Sequence, residues 1–403
     1  MKVNLKSKLN TKAFAAISEC IKIAQISGIR IYLVGGIVRD ILLKKPIKDI
    51  DITVEGKAKD FVEILDCYVK TRKIIYHEML PTVKVVFKNG TEIDFASTRK
   101  EVYKKSGDLP VVTEIGCPLK DDIKRRDFTV NSIAISLNSD DLFEIIDYTN
   151  GLNDLQKKQL KVLHDKSYTD DPSRLIRCLK FAQRLDFKPE DKTLELQKKY
   201  LDNPLQNIPL SRIKKELKDL FSLNKASCFD DFAKQKLYKI FVPKLNTDIS
   251  GEDIRNIIFD FKVDDDDIWL LYLIPFFLDN PVPEKFNFTA REIKVFSEIN
   301  NFYKRPLLNT DKYSVYEYFS GLDYLSVIYY AVLFDINIIK MFNKIKNIKV
   351  CFDGKDLQNL GIPQGKIYSE IQKTVLREKI NNGNLKTKND EINYIKKIFA
   401  DKK

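Results

Sequence analysis

Apolar side chains recur at three- and four-residue spacing through 11–27 and stop at Gly28, the pattern of an amphipathic helix closed by a glycine. A compact apolar run at 29–34 suits a buried strand, and a second helix is expected to open at the pair Gly35-Gly36. Residues 50–54 read as a strand and 58–68 as a helix, while 83–87 and 92–96 read as a hairpin across Asn89-Gly90. From about Asp170 the strand signals fade, and helical spacing takes over at 175–185, 194–201 and 213–223. The predicted class is α+β, a mixed-sheet head followed by a long all-helical remainder. Breaks are expected at Asn203-Pro204 and at Asn280-Pro281-Val282-Pro283. The run Asp264-Asp265-Asp266-Asp267 is expected to cap a helix rather than bind metal, because carboxylates are favoured at the positive end of the helix dipole.

A chain of 403 residues is too long for one small core, and length alone suggests roughly two to four domains. A net charge of +12 adds an anionic partner to this picture without naming it. The excess is uneven, since 340–403 holds fifteen Lys or Arg against seven Asp or Glu. The longest apolar run, 268–278, falls short of the roughly 20 residues needed to span a bilayer. Behind the basic start, Lys12, Glu19 and Lys22 interrupt any signal-like apolar stretch, so a cytoplasmic protein with no membrane partner is expected. Six cysteines stand singly, without a Cys-x-x-Cys pair, which points to a reduced compartment and argues against cysteine-bound zinc. His164-Asp165 is expected to be an ordinary loop pair, because a metal-phosphohydrolase centre needs more histidines than His77 and His164 supply. There is no Walker A loop and no G-x-G-x-x-G.

The candidate chemistry begins where two strands end. Asp49 and Asp51 flank one residue of a predicted strand, so alternation sends both side chains to one face. Two such carboxylates repel by roughly 2–4 kcal/mol at an effective dielectric of about 20, and Mg²⁺ between them removes that repulsion. Asp94, on a later strand, can bring a third oxygen ligand, completing a site suited to phosphoryl or nucleotidyl transfer. Just upstream, Gly35 and Gly36 let a phosphate approach the backbone, and Arg39 one turn on can complete an anion site. Read singly, each pattern is also compatible with a polar strand or a tight turn.

In order along the chain, Gly35-Gly36-Ile37-Val38-Arg39-Asp40 with Asp49-Ile50-Asp51, Arg125-Arg126-Asp127-Phe128-Thr129-Val130-Asn131-Ser132, Asp147-Tyr148-Thr149-Asn150-Gly151-Leu152-Asn153-Asp154-Leu155, Asp171-Pro172-Ser173-Arg174-Leu175-Ile176-Arg177 and Arg212-Ile213-Lys214-Lys215-Glu216-Leu217 resemble the successive motifs of the bacterial-type (class II) tRNA nucleotidyltransferase and poly(A) polymerase family. These motifs cover 35–217. The segment from Phe352-Asp353-Gly354-Lys355-Asp356-Leu357 to Gly365 is similar to one found in some members, whereas 221–350 is supported only by its helical pattern. The resemblance implies a polymerase-β-like nucleotidyltransferase head at 1–165, a base-recognising helical neck at 166–225, and a tRNA-binding helical body and tail at 226–403. It implies nucleotide contacts from Gly35, Gly36, Arg39 and Arg126, with Asp127 and Asn131 near the sugar, and Mg²⁺ held by Asp49 and Asp51.

Asp171 and Arg174, three apart, are expected on one helix face. A carboxylate accepts from an exocyclic amine and a guanidinium donates to the adjacent ring nitrogen, the pairing that C and A present and that U and G reverse. Arg177 and Lys180 continue this face and match basic family positions. Two departures stand out: Asp170 where the family usually has Glu, and Lys180 where it usually has Arg, which removes the planar fork there. Residues 97–110 resemble the mobile loop that complete CCA-adding members use in switching from C to A. The implied activity is addition of C, C and A to a tRNA 3′ end from CTP and ATP. CC-adding, A-adding and poly(A)-adding enzymes are alternatives within the family, and a non-catalytic RNA-binding protein or a nucleotide-sensing module lies outside it. The sequence leaves the oligomeric state open.

Overall fold

A computed structural model describes residues 1–77, 81–105, 107–205 and 208–400. The chain forms two compact units, Met1–Leu223 with Asp231–Pro243 and Asn224–Asp230 with Lys244–Lys403.

The first unit is built on a seven-stranded sheet. Helix α1 (Thr11–Ser27) ends at Gly28 in the left-handed conformation, as its sequence pattern predicts. Strand β1 (Arg30–Val34), helix α2 (Gly36–Leu42), strand β2 (Asp51–Glu55) and helix α3 (Ala58–Val69) follow. Next come β3 (Lys73–His77), β4 (Thr82–Val86) and β5 (Glu92–Ser97), with β4 and β5 paired across the Asn89-Gly90 turn, where Gly90 has φ 84°. A separate two-stranded ribbon, β6 (Arg99–Val102) and β7 (Val111–Ile115), precedes helix α4 (Leu119–Ile123). The strands β8 (Ala134–Ser136) and β9 (Ile145–Ile146) complete the sheet, whose order is β3-β4-β5-β2-β1-β8-β9. Only β2 and β5 run parallel within it.

Strand alternation divides the labour between the two faces of the sheet. The partners Leu33, Ile52 and Phe95 are buried on one face, where Phe61 of α3 meets Phe95 with ring centroids 5.6 Å apart. The other face carries Asp51, Thr53, Asp94 and Lys84, and at its β1–β8 end Tyr32, Val34 and Ala134 pack under Leu119 and Ile123 of α4. One face is therefore core, and the other bears polar chemistry.

Helix α5 (Gly151–Gln156) starts so close to the Thr129 backbone that a Cβ at Gly151 would lie 2.3 Å from its carbonyl oxygen. Helices α6 (Ser167–Asp170), α7 (Ser173–Leu185), α8 (Asp191–Asp202) and α9 (Leu210–Phe221) follow, and α7 packs on α9. The expected break at Asn203-Pro204 falls between α8 and α9.

Among its described residues the second unit is helical, and its core is rich in aromatic rings. Phe277 meets Phe286, Phe288 and Phe296 at centroid distances of 5.7, 5.9 and 5.1 Å. The run Asp264–Asp267 does begin a helix, but Asp264 makes no side-chain cap; Asp267 instead accepts two hydrogen bonds from Arg291. No helix among the described residues is long and apolar enough to cross a membrane.

Candidate active site

One cavity of about 1360 Å³ in the first unit gathers nearly all the side chains singled out above. Gly35, Gly36, Arg39, Asp49, Asp51, Arg126, Asp127, Asn131, Asp171, Arg174, Arg177 and Lys180 all line it. Its lining holds eleven basic and six acidic residues, an excess suited to a polyphosphate.

At the sheet end, β1 hands the chain to α2 through Gly35, whose φ of 74° is one that side chains other than glycine's adopt with difficulty. A Cβ at Gly35 would come 3.7 Å from Arg126 Nη1, and one at Gly36 would come 3.6 Å from Arg39 Nη2. No side chain caps α2, so its first N–H groups have neither a helical nor a capping acceptor. Ile50 is buried between an exposed Asp49 and a half-buried Asp51, so the expected alternation holds even though the strand proper starts at Asp51. The Asp51 carboxyl is pushed up to about 6 by burial and by the charges of Asp94 and Asp49.

Asp94 faces Asp51 across the β2–β5 pair but has another partner, Lys84, whose Nζ lies 3.0 Å from Oδ2. Among the described residues no group of three or more His, Cys, Asp or Glu is arranged to hold a metal. The donor set is thus two carboxylates, Asp49 and Asp51, with a third engaged by lysine. It suits a hard cation that completes its shell with phosphate oxygens and water, as Mg²⁺ does.

At the helical end the charges are already paired. Arg177 donates to Asp127 Oδ2 at 2.9 and 2.6 Å and to Glu216 Oε1 at 2.9 Å, while Lys180 donates to Glu216 and Asp219. Asp127 Oδ1 accepts from Asn131, and Asn131 in turn accepts from Arg39 at 2.6 Å. Arg39, only 2% exposed, also donates to Asp40, which Arg184 reaches at 3.3 Å. One hydrogen-bonded chain therefore links α2, the 129–131 turn, α7 and α9. Burial pushes the Asp127 carboxyl up, but the Arg177 charge and the bonds from Asn131 and Arg177 outweigh it and hold it at about 2. Burial lowers the pKa of Arg39, and Asp40 only partly offsets this. Phe181 sits in the middle, with Arg39 and Arg177 over its ring at 5.1 and 5.3 Å.

The arrangement of Asp171 and Arg174 differs from the expectation. Asp171 lies ahead of α7, outside the helix, with extended backbone. Its Oδ1 accepts from the Ser173 N–H and hydroxyl, and its Oδ2 accepts from Arg212 at 2.6 Å. Pro172 is the cause: it lacks the N–H that an uninterrupted helix needs and disfavours helical backbone at the residue before it. Arg174 donates to the Ser167 hydroxyl and the Arg125 carbonyl, with Nε 3.8 Å from Asp171. The two side chains adjoin, but each already has a protein partner.

Arg126 pairs with Asp122 rather than with Asp127. Asp122 is fully buried and takes both Arg125 and Arg126; burial would raise its pKa, and the two guanidiniums overcome that and lower it. Arg126 Nε is buried without a hydrogen-bond partner. Asp122, Phe181, Arg184, Arg212 and Glu216 were not among the candidate residues. The spacing of Asp122 to Arg125 and Arg126 was a helical ion-pair signal, as was that of Arg212 and Glu216, four apart on α9.

The expected mobile loop at 97–110 is partly strand, since Arg99–Val102 pairs with Val111–Ile115. Backbone pairing and the Lys100–Glu114 ion pair hold this ribbon, and neither shows as apolar alternation. Tyr103, Leu109 and Pro110 line the cavity, and Ser106 lies outside the described residues. His164, half-buried, lies 4.0 Å from Asp170, and burial lowers its pKa.

Residues 31–161 match the poly A polymerase head domain family. Over 98% of its length the chain superposes on 97% of an apo-form CCA-adding enzyme, with a TM-score of 0.83 and 26% identity. The match to a poly A polymerase head domain thus covers 31–161, while the likeness in fold to a CCA-adding enzyme runs through nearly the whole chain. A CCA-adding enzyme in complex with CTP gives a TM-score of 0.81 at 26% identity, covering 100% of this chain and 98% of that one. An A-adding tRNA nucleotidyltransferase of Aquifex aeolicus is 39% identical over 192 residues, 47% of this chain and 23% of that protein. The chain thus spans about a quarter of that relative's length. Enzymes of this family work with a divalent metal.

Proposed function

We propose that this chain is a template-independent tRNA nucleotidyltransferase that adds C, C and A to tRNA 3′ ends from CTP and ATP and releases pyrophosphate. The observation that carries the reading is a single cavity lined by a glycine turn, a carboxylate pair and an Asp171–Arg174 pair. Triphosphate, metal and base each have a chemically matched set of side chains there. Asp49 and Asp51 hold Mg²⁺, which when bound supplies charge neutralisation at the α-phosphate and the leaving group. The acceptor 3′-oxygen bonds to the α-phosphorus, the bond from that phosphorus to the bridging oxygen breaks, and the hydroxyl proton passes to solvent. Gly35 and Gly36 admit the triphosphate, Arg126 and Arg39 face it, and Asp127 and Asn131 set the sugar. Asp171 accepts from the exocyclic amine of C or A while Arg174 donates to the ring nitrogen, and a wrong base costs about 1–3 kcal/mol. The head comprises 1–165, the neck 166–225, and the tRNA-tracking body and tail 226–403. Phosphate contacts make RNA binding fall steeply with salt.

Transfer of A alone is the second reading, favoured by 39% identity over 192 residues to an A-adding enzyme. One experiment separates the two. tRNAs ending at the discriminator base, at C and at CC are incubated with CTP, ATP or both, and the products are sized. Complete CCA on the shortest acceptor with both nucleotides supports the first reading, and addition only to the CC-ended acceptor with ATP selects the second. A long adenylate ladder indicates a poly(A) polymerase.

A further inference from the structure

Two cavities of the first unit meet at Lys48 and Asp49. Besides the cavity described above there is a second, of about 840 Å³, lined by Lys8, Lys12, Lys45 and Lys84 and by the Asn89-Gly90-Thr91 turn. Lys48 and Asp49 line both cavities, and Asp94 lines the second. Its acids are mostly taken: Lys84 lies 3.0 Å from Asp94 and 3.4 Å from Glu92. The side chains of Lys8, Lys12 and Lys48 have no ion-pair or hydrogen-bond partner among the described residues. The wall is fixed, because Asn89 Nδ2 donates to the Lys12 carbonyl at 3.0 Å and the Ala13 N–H donates to Asn10 at 2.8 Å. No aromatic ring lines this cavity, so it offers nothing on which a base can stack, while five of its lining residues are lysines that suit a polyanion.

Nucleotidyl transfer has two substrates, and in-line displacement requires the attacking oxygen and the departing pyrophosphate on opposite sides of the α-phosphate. The nucleotide and the acceptor must therefore reach the same carboxylates by different routes. Resting on the activity proposed above, we infer that the second cavity seats the last phosphodiesters of the acceptor RNA strand and delivers its 3′-hydroxyl to Asp49. Lys8 and Lys12 neutralise these phosphates, and bases are left to the first cavity.

Lysine acetylation mapped by mass spectrometry tests this on the full chain without turnover. The probes are CTP alone and a hairpin RNA copying a tRNA acceptor stem that ends in CC. RNA should protect Lys8 and Lys12, and CTP should not. Equal labelling with and without RNA overturns the inference, and protection by CTP instead reassigns the cavity to the nucleotide. In a second arm, the exposed pair is reversed in Lys8→Glu with Lys12→Glu. The KM for the hairpin should rise about tenfold, with its logarithmic salt slope shallower by about 0.7 per lysine removed, while the KM for CTP and ATP stays put. An unchanged RNA KM also overturns the inference. Wild-type protein that protects both lysines with RNA yet releases no pyrophosphate defeats the activity reading alone.

Discussion

The two ends of the large cavity solve the problem of buried charge in opposite ways. At the sheet end, Asp51 stands among like charges and its carboxyl is pushed up to about 6 by burial, Asp94 and Asp49. At the helical end, Arg177, Lys180, Asp127 and Glu216 neutralise one another. The first end concentrates acidic charge at Asp49 and Asp51, so a cation bound there relieves their repulsion. The second end is satisfied by the protein itself, so a ligand group gains only the difference between two hydrogen-bond sets. Such exchange binds weakly but discriminates well, because a wrong base gives up good protein partners for nothing. Under the function proposed above, the contrast puts affinity at the carboxylate end and selectivity at the helical end.

The contrast can be broken by substitution, and the largest effect belongs to the unsatisfied end. Asp51→Ala should lower pyrophosphate release by at least about a thousandfold, since a lost metal ligand removes several kcal/mol of transition-state stabilisation. The same variant should melt no lower than wild type; activity within tenfold of wild type, or a large drop in Tm, would contradict the assignment. Glu216→Gln addresses the satisfied end, leaving Arg177 and Lys180 without their shared carboxylate. A loss of about 2–3 kcal/mol in urea unfolding is expected, and an unaltered midpoint would mean that the network does not hold α7 to α9.

Asp127 sharpens the comparison through pH. Its folded pKa, about 2, lies below the ordinary 3.8, so its stabilising contribution is present above pH 4 and disappears as pH falls toward 2. The contribution is about 2 kcal/mol, and Asp127→Asn should flatten this part of the stability profile. The smallest effect concerns Arg212, which holds the Asp171 carboxylate at 2.6 Å. If a base must displace it, Arg212→Gln should tighten CTP binding about twofold to fivefold, the scale of a partly exposed ion pair. Weaker CTP binding in that variant would make Arg212 a nucleotide ligand instead of a competitor.

Much of the scaffold was legible along the chain. The 11–27 helix, the β4–β5 hairpin and the order of sheet then helices follow from apolar period and turn residues, which are local properties. The alternation through Asp49, Ile50 and Asp51 placed two carboxylates on one face correctly for the same reason. Strand order was not legible, because the parallel pairing of β2 with β5 joins segments about forty residues apart with no local mark of it. The ribbon at 99–115 was missed because its charged sequence lacks apolar alternation.

The residue types, the glycine able to adopt φ 74° and the spacing of acids and bases are matters of sequence, since backbone freedom and the presence of an ionisable group belong to single residues. Which charge meets which partner is a tertiary matter. Asp171 binding Arg212, Arg177 binding Asp127, and Lys84 engaging Asp94 depend on distances between segments far apart or differently turned. Electrostatic energy at a few ångströms varies too steeply with distance and burial for spacing along the chain to stand in for it.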